Sequence, residues 1–480
     1  MKMLINGQWT DSRSGETIAI CNPYNGEKLD EVPRGNAEDI ELAVQIAKEG
    51  HKLNRRLPAH ERHLYLRRAG ELILESLATL RSSMIQENGK SHDWADFEIR
   101  KTAEIFMTVA ERVKDPQGHS YPMDSMFGCE TQMAMTYRQS LGVIGGIIPF
   151  NFPAEMLAYK LAGALAGGNS IVLKLPEDCP LTCLRIGELL LQAGIPASVF
   201  HLVTGYGEEA GEALVSHPDV PMISFTGSSE TGKRIMTQAG SRLKRLSLEL
   251  GGNDPVIVFA DADLEAVANH LVKGRMTVGN GQACVADKRF IVEAAAVDRF
   301  AELAAAVVSR LVVGDPSDPA VDVGPLIHPQ AAERVHKQIE DALSKGAKLL
   351  TGGRRVGPAG IEPTILLDAT EEMEVMREEC FGPVVPIIAF HSEEEAVAIA
   401  NNTRYGLQGA VYTRDIHRAM RVADELEVGG VVINGSSCFR PGNVPYMPRK
   451  ESGLGTDNMF NCVEEMTTGK ALIFNGVTFR

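Results

Sequence analysis

Cys284 closes the segment Gly279-Asn280-Gly281-Gln282-Ala283-Cys284 and precedes the apolar run Phe290-Ile291-Val292. A cysteine held on an accessible glycine-rich loop can act as a thiolate nucleophile; the alternative is a small hydrophobe packed in the interior, as most free cysteines are. Glu249 is the candidate base. Leu246, Leu248 and Leu250 alternate with Ser247 and Glu249, and a period of two puts Glu249 on the face opposite the leucines. Gly251 and Gly252 follow at once, so a ligand or another segment can approach closely. A carboxyl beside apolar neighbours can have a raised pKa and take a proton from water; the alternative is an exposed strand glutamate. Asn151 sits in Pro149-Phe150-Asn151-Phe152-Pro153. Rigid neighbours on both sides suit a side-chain amide that donates to an oxyanion.

A second group of residues suits a phosphate and a sugar. Lys174 ends the apolar run Ile171-Val172-Leu173, and Glu177 follows three positions later. The cation can reach a ribose hydroxyl or a phosphate, and the carboxylate can accept two ribose hydroxyls; a solvated lysine and a helix-start glutamate are the alternative. Thr226-Gly227-Ser228-Ser229-Glu230-Thr231-Gly232 follows another apolar run. Its glycines permit close backbone approach, and a helix starting there offers free N–H groups to an anion. Gly205-Tyr206-Gly207 with Gly211 has the composition of a dinucleotide fingerprint but the wrong spacing.

These residues fall on a regular alternation. Residues 37–52 and 58–115 carry helical periodicity, with Leu64, Leu66, Leu72, Leu74 and Leu77 as an apolar face. Residues 118–140 suit a hairpin that leaves the main body. From 141, strands near 143–148, 171–173, 199–203, 222–225 and 246–250 alternate with helices near 154–166, 182–193, 208–216 and 230–239. This pattern predicts a parallel sheet with helices on both faces, an α/β fold whose ligands bind at the carboxyl ends of the strands. A second α/β series runs from 251 to about 435, with strands at 256–259, 290–292 and 384–388 and helices at 262–274 and 295–312.

Composition narrows the function classes. The chain has 480 residues, a length that suggests about three domains. Its net charge is −15, which argues against a broad nucleic-acid footprint and, weakly, against anionic membranes. No apolar run is long enough to span a membrane, and the first residues do not read as a secretory signal. Eight cysteines scattered over so long a chain are not a disulfide framework, so a reducing, cytoplasmic location is expected. No metal is expected: Cys179 with Cys183, and His60 with His63, lack the partners of a zinc motif.

Taken in order, Asn151-Phe152-Pro153, Lys174 with Glu177, Phe225-Thr226-Gly227-Ser228 to Gly232, Glu249-Leu250-Gly251-Gly252, Gly281-Gln282-Ala283-Cys284 and Glu379-Cys380-Phe381-Gly382-Pro383 resemble the aldehyde dehydrogenase superfamily over essentially the whole chain. The resemblance implies a Rossmann-like NAD-binding domain (1–117 and 141–250), a catalytic domain (251–435) and a β-hairpin oligomerisation arm (118–140 with 455–480). The arm would join subunits into a homodimer or homotetramer. Cys284 would attack the aldehyde carbon, with the oxyanion between the Asn151 amide and the Cys284 N–H. Hydride would pass to the nicotinamide, and Glu249 would activate water to hydrolyse the thioester. Lys174 and Glu177 would hold the adenine-side ribose, and Glu379 the nicotinamide ribose with Phe381 beside it. Gly227, Ser228 and Gly232 would face the pyrophosphate, and Phe150, Leu250 and Gly251 would complete the cofactor site. A carboxylate at Glu177 would repel a 2′-phosphate, so NAD is expected over NADP.

The stretch Gly430 to Arg440 is similar to the branch that holds archaeal lactaldehyde, phosphonoacetaldehyde and non-phosphorylating glyceraldehyde-3-phosphate dehydrogenases. That similarity implies a small, polar, often anionic aldehyde. Arg440 is the candidate anion anchor, with Phe439 beside it and Arg100 as a second candidate. Ala283 and Phe152 offer no charge, which disfavours a phosphorylated substrate. The family's C-terminal loop commonly reads Pro-Phe-Gly-Gly-x-Lys-x-Ser-Gly; here it is Pro445-Tyr446-Met447-Pro448-Arg449-Lys450-Glu451-Ser452-Gly453. Two rivals stand beside hydrolysis: a CoA-acylating enzyme, which would have no use for a base acting on water, and a non-catalytic binding protein on the same fold.

Overall fold

The computed structural model describes residues 1–115, 118–456 and 458–477. Residue 117, the expected end of the first segment, and residues 457 and 478–480 of the expected arm lie outside the described residues.

The alternation of short apolar strands with helices builds two sheets. The first has eight strands, in the order Gln8–Thr10, Met3–Ile5, Phe200–Val203, Ser170–Lys174, Val143–Ile147, Met222–Thr226, Arg245–Glu249 and Gly453–Leu454. The five central strands are parallel, and the chain builds outward in both directions from Val143–Ile147. The order therefore reverses between Val143–Ile147 and Met222–Thr226, the switch point where open α/β sheets leave a crevice. Ile147 pairs with Lys174 and Thr226 with Glu249, so the candidate side chains emerge together at the carboxyl edge. Strands buried on both faces read as near-continuous apolar runs, which is why Ile171-Val172-Leu173 was legible.

The second sheet has seven strands, in the order Lys348–Thr351, Thr364–Leu367, Val384–Phe390, Arg289–Glu293, Pro255–Val258, Gln408–Tyr412 and Gly430–Ile433. Only its Lys348–Thr351 edge is antiparallel. A third, three-stranded sheet joins Ser120–Tyr121, Gln132–Ser140 and Thr467–Asn475. The last two strands run antiparallel from Thr467 opposite Ser140 to Asn475 opposite Gln132.

Three helical expectations change in detail. The stretch 58–115 is three helices, Ala59–Glu75, Leu77–Asn88 and His92–Arg112; Gly89, at φ +76°, ends the second. Leu64 does not join the buried face: it is exposed, while Leu66 and Leu72 are buried. The helix expected at 262–274 is Leu264–Leu271, continued by wider turns over Val272–Thr277 that lead into the Cys284 loop. Among the described residues no helix is long and apolar enough to cross a membrane.

Candidate active site

The loop before Cys284 is held in a conformation few sequences adopt. Gly279, Asn280 and Gly281 all have positive φ, at 50°, 57° and 80°. Asparagine tolerates that region, and the Asn280 side chain is fully used: it donates to the Gly89 and Pro325 carbonyls at 2.8 Å and accepts from the Gly324 N–H at 2.9 Å. A Cβ on Gly281 would stand 2.3 Å from the Gly382 carbonyl carbon, so glycine is required on steric grounds too. Gln282 accepts from the Ile327 N–H and donates to the Gly279 carbonyl.

Cys284 is partly exposed at the end of this loop. Its Sγ lies 3.8 Å from the Tyr446 hydroxyl. Burial pushes the thiol up to about 11, opposed by the positive charges of Lys288 and Arg440 and reinforced by the negative charge of Glu379. The Asn151 side-chain amide donates to the Gln282 carbonyl at 2.9 Å, which brings it to the same loop. An amide has two N–H donors, so a second remains for a substrate oxygen. Asn151 is placed from behind by Lys90, whose ammonium donates to the Asn151 carbonyl at 2.5 Å and pairs with Glu98. Both members of that ion pair are buried, and Glu98 also accepts from the Ala154 N–H at 2.9 Å, at the start of the Pro153–Ala166 helix.

Glu249 is only 4% exposed at the end of its strand, against the alternative of a solvated strand glutamate. The two glycines after it are explained by close approach. A Cβ on Gly251 would lie 2.4 Å from Glu379 Oε2, and one on Gly252 would lie 2.8 Å from the Cys284 carbonyl oxygen. Lys288 ties these segments together: its ammonium donates to the Gly252 carbonyl at 2.6 Å, the Cys284 carbonyl at 2.5 Å and Glu379 Oε1 at 2.9 Å. Glu379 Oε1 also accepts from the Gly252 N–H.

A cleft of about 1080 Å³ opens at the switch point. Phe150, Lys174, Glu177, Gly227 and Ser228 line it, and Lys174 pairs with Glu177. Ser228 caps the Ser229–Gly240 helix by accepting from the Thr231 N–H. Tyr206, Gly207 and Gly211 line the opposite wall despite their irregular spacing. A cation, a carboxylate and a helix start around a crevice at parallel strand ends fit the adenosine and phosphate parts of a dinucleotide. Phe150 meets Phe381 edge-on, ring centroids 6.0 Å apart, which links the cleft to the Glu379 segment.

Two expected site residues lie elsewhere. Gly232 does not line the cleft; it is buried on the inner side of its helix, where a Cβ would stand 2.6 Å from a Leu250 methyl carbon. Its small size lets the helix sit on the strand end, and Leu250 is its packing partner. Arg100 is exposed on the His92–Arg112 helix and is held by Asp96 at 2.6 Å, one turn back. Arg440, by contrast, is near the nucleophile. Its guanidinium lies 3.8 Å from the Tyr446 ring centroid and 5.5 Å from that of Tyr159. Phe439 is 66% exposed beside it. The half-buried Glu155 carboxyl is pushed up to about 7 by desolvation, with Arg440 the foremost charge pulling it down.

The sequence left Lys288, Tyr446 and the Lys90–Glu98 pair without a role. Two buried charges stand side by side where a buried strand starts, Lys288 just before it and Arg289 as its first residue, an anomaly that signals fixed partners.

The whole architecture recurs in known proteins. The chain is 36% identical over 473 residues to a 3-sulfolactaldehyde dehydrogenase of Priestia aryabhattai, covering 98% of each. It is 36% identical over 477 residues to a lactaldehyde dehydrogenase of Methanocaldococcus jannaschii, covering 98% of this chain and 100% of that one. The solved structure of an NADP-dependent enzyme from E. coli superposes with a TM-score of 0.96 at 37% identity, covering 99% of this chain and 98% of the other. Residues 9–472 match the aldehyde dehydrogenase family, and the chain belongs to that family of NAD(P)-dependent oxidoreductases.

Proposed function

We propose that this enzyme oxidises a small, polar, anionic aldehyde to its carboxylic acid, with NAD as the preferred hydride acceptor. The observation that carries the proposal is the knot at Lys288. One ammonium joins the Cys284 loop, the glycines after Glu249 and the carboxylate of Glu379. Nucleophile, base and ribose-binding groups then share one rigid frame, the condition for positioning catalysis.

The chain's own groups divide the work. Cys284 gives up its thiol proton to solvent and attacks as the thiolate; the S–C bond forms as the carbonyl π electrons move to oxygen, and the resulting oxyanion is held by the Asn151 amide and the Cys284 N–H. Collapse of this oxyanion would expel a hydride, for which a nicotinamide, when bound, would be the acceptor. The acyl group is left as a thioester on Cys284. Glu249 takes a proton from water, the oxygen attacks the thioester carbon, and Cys284 leaves as thiolate. CoA has no part in this sequence. Lys174 and Glu177 hold the adenine-side ribose, and the Glu177 carboxylate repels a 2′-phosphate. Glu379 takes the nicotinamide ribose, while Gly227 and Ser228 face the pyrophosphate.

Arg440 anchors the anionic end of the substrate, stacked on Tyr446 next to Cys284. The uncharged Ala283 and Phe152 favour a carboxylate or a hydroxylated chain over a phosphate. The 1–117 and 141–250 segments serve as the nucleotide-binding domain and 251–435 as the catalytic domain. The 118–140 and 455–480 segments form an arm for a homodimer or homotetramer. Exposed Tyr121, Met135, Ile473 and Phe474 on that arm's strands favour burial against another subunit. Incubation with NAD and a panel of short aldehydes, read as NADH absorbance, tests the function. Turnover of anionic aldehydes without CoA is expected; no NADH from any of them would overturn it.

A further inference from the structure

Tyr446 carries the hydroxyl that lies 3.8 Å from Cys284 Sγ, within hydrogen-bond reach of a large sulfur atom. The side chain is buried, 4% exposed, and Arg440 lies across its ring face. Building on the assignment of Cys284 as nucleophile, we propose that the Tyr446 hydroxyl donates a hydrogen bond to the Cys284 thiolate, with Arg440 seating the ring, making Tyr446 a further catalytic residue.

The direction of the bond follows from the chemistry of the two groups. A neutral thiol is a weak donor and a weak acceptor, whereas a thiolate is a strong acceptor of a charge-assisted hydrogen bond. The contact therefore gains strength when the sulfur ionises, and it favours the nucleophilic form. Tyr446 stays protonated to supply the donor, because burial, and then the charge of Cys284, push its phenol well above the ordinary value. A cation over the ring face draws electron density from the phenol and sharpens the O–H as a donor.

The other groups facing Cys284 cannot take this part. Lys288 has three N–H donors, and all three have partners: the Gly252 carbonyl, the Cys284 carbonyl and Glu379. It acts on the sulfur only as a nearby charge. Arg440 also acts through its charge, and Glu379 opposes ionisation. Glu249 and Asp254 bear on Tyr446 and make its own ionisation harder. Cys438 feels Cys284 as a like group and is itself held protonated by burial. Among these groups, the tyrosine hydroxyl is the one poised to donate to the thiolate.

The test is alkylation of the full-length protein by iodoacetamide as a function of pH, with the modified residue identified by peptide mass spectrometry. No turnover or cofactor is needed. Replacing Tyr446→Phe keeps the ring and the seat for Arg440 but deletes the donor. The midpoint for alkylation of Cys284 should rise by about one pH unit. A lower thiolate fraction, partly offset by the greater reactivity of a more basic sulfur, should slow alkylation at neutral pH about threefold. Arg440→Leu should move the midpoint the same way through loss of its own charge. The second reading, if Tyr446→Phe does not fold, is therefore Tyr446→Gln, which keeps an N–H donor and should hold the midpoint near the wild type, whereas a rise of a full unit with that donor in place would count against the hydrogen bond. Tyr446→Phe curves that superimpose on the wild type, with Cys284 still the modified residue, would overturn this inference and leave the proposed function standing. Alkylation that spares Cys284 in the wild type would overturn both.

Discussion

Lys288 and Glu379, 91 positions apart in the chain, form an ion pair of 2.9 Å whose ammonium is almost fully buried. The same ammonium holds the carbonyls of Cys284 and Gly252. A buried cation with three anionic or carbonyl partners fixes position rather than adding net stability, since its desolvation cost offsets much of the attraction. Removing it should therefore damage geometry and stability together. Lys288→Met is expected to lower kcat/KM by about 10²-fold through misplacement of the nucleophile loop. It should also cost about 3 kcal/mol in urea unfolding, because Glu379 keeps some solvent contact and Lys288 does not.

On the proposed mechanism, Glu249 serves only the second half of the reaction. Glu249→Gln should leave the first turnover intact and give a burst of NADH equal to the number of active sites. Steady-state kcat should then fall by about 10²–10⁴-fold, the usual contribution of a general base. Rapid mixing at saturating aldehyde separates the two phases. Loss of the burst itself would place Glu249 before hydride transfer.

On the proposed reading, the choice between NAD and NADP turns on one carboxylate. Glu177 lines the cleft beside Lys174, where the adenine-side ribose is expected. The wild-type enzyme should show higher kcat/KM with NAD than with NADP. Glu177→Ser should shift that ratio towards NADP by about tenfold or more, because a like charge at the 2′-phosphate is removed. The E. coli structure of the same fold is described as NADP-dependent, so the fold alone does not set the preference.

Arg440 sits over Tyr446, and Tyr446 reaches Cys284, so an anion held by the guanidinium, as proposed, would lie close to Cys284. A charge-assisted hydrogen bond contributes about 1.5–3 kcal/mol, or roughly 10–100-fold in binding. Arg440→Leu should raise KM by that factor for an anionic aldehyde and by much less for propanal. Equal changes for both substrates would remove Arg440 from the anchor role.

Much of this arrangement was legible in the chain itself. Buried parallel strands leave continuous apolar runs, so the strands near 143–148, 171–173 and 222–225 and the groups at their ends could be placed. The Glu249 alternation fixed a face, and Gly251-Gly252 signalled close approach, which Glu379 and the Cys284 carbonyl supply. Periodicity does not say which distant segment fills a gap. Lys288 lies 91 positions from Glu379, and Tyr446 lies 162 from Cys284, so neither contact has a local signal. The same limit explains Gly232 and Arg100. A glycine in a phosphate-type loop can serve the ligand or the packing, and only the third dimension separates the two. An arginine one helical turn after Asp96 had a partner close at hand in the sequence.

On the proposed mechanism, a transient acyl group is carried on one sulfur. Acid quenching during turnover, followed by peptide mass spectrometry, measures it directly, and the Glu249→Gln protein should make the adduct abundant. The peptide containing Cys284 should gain the mass of the substrate's acyl group, and a Cys284→Ala protein should fold but form no NADH. A Cys284→Ala protein that reduces NAD at the wild-type rate would contradict it.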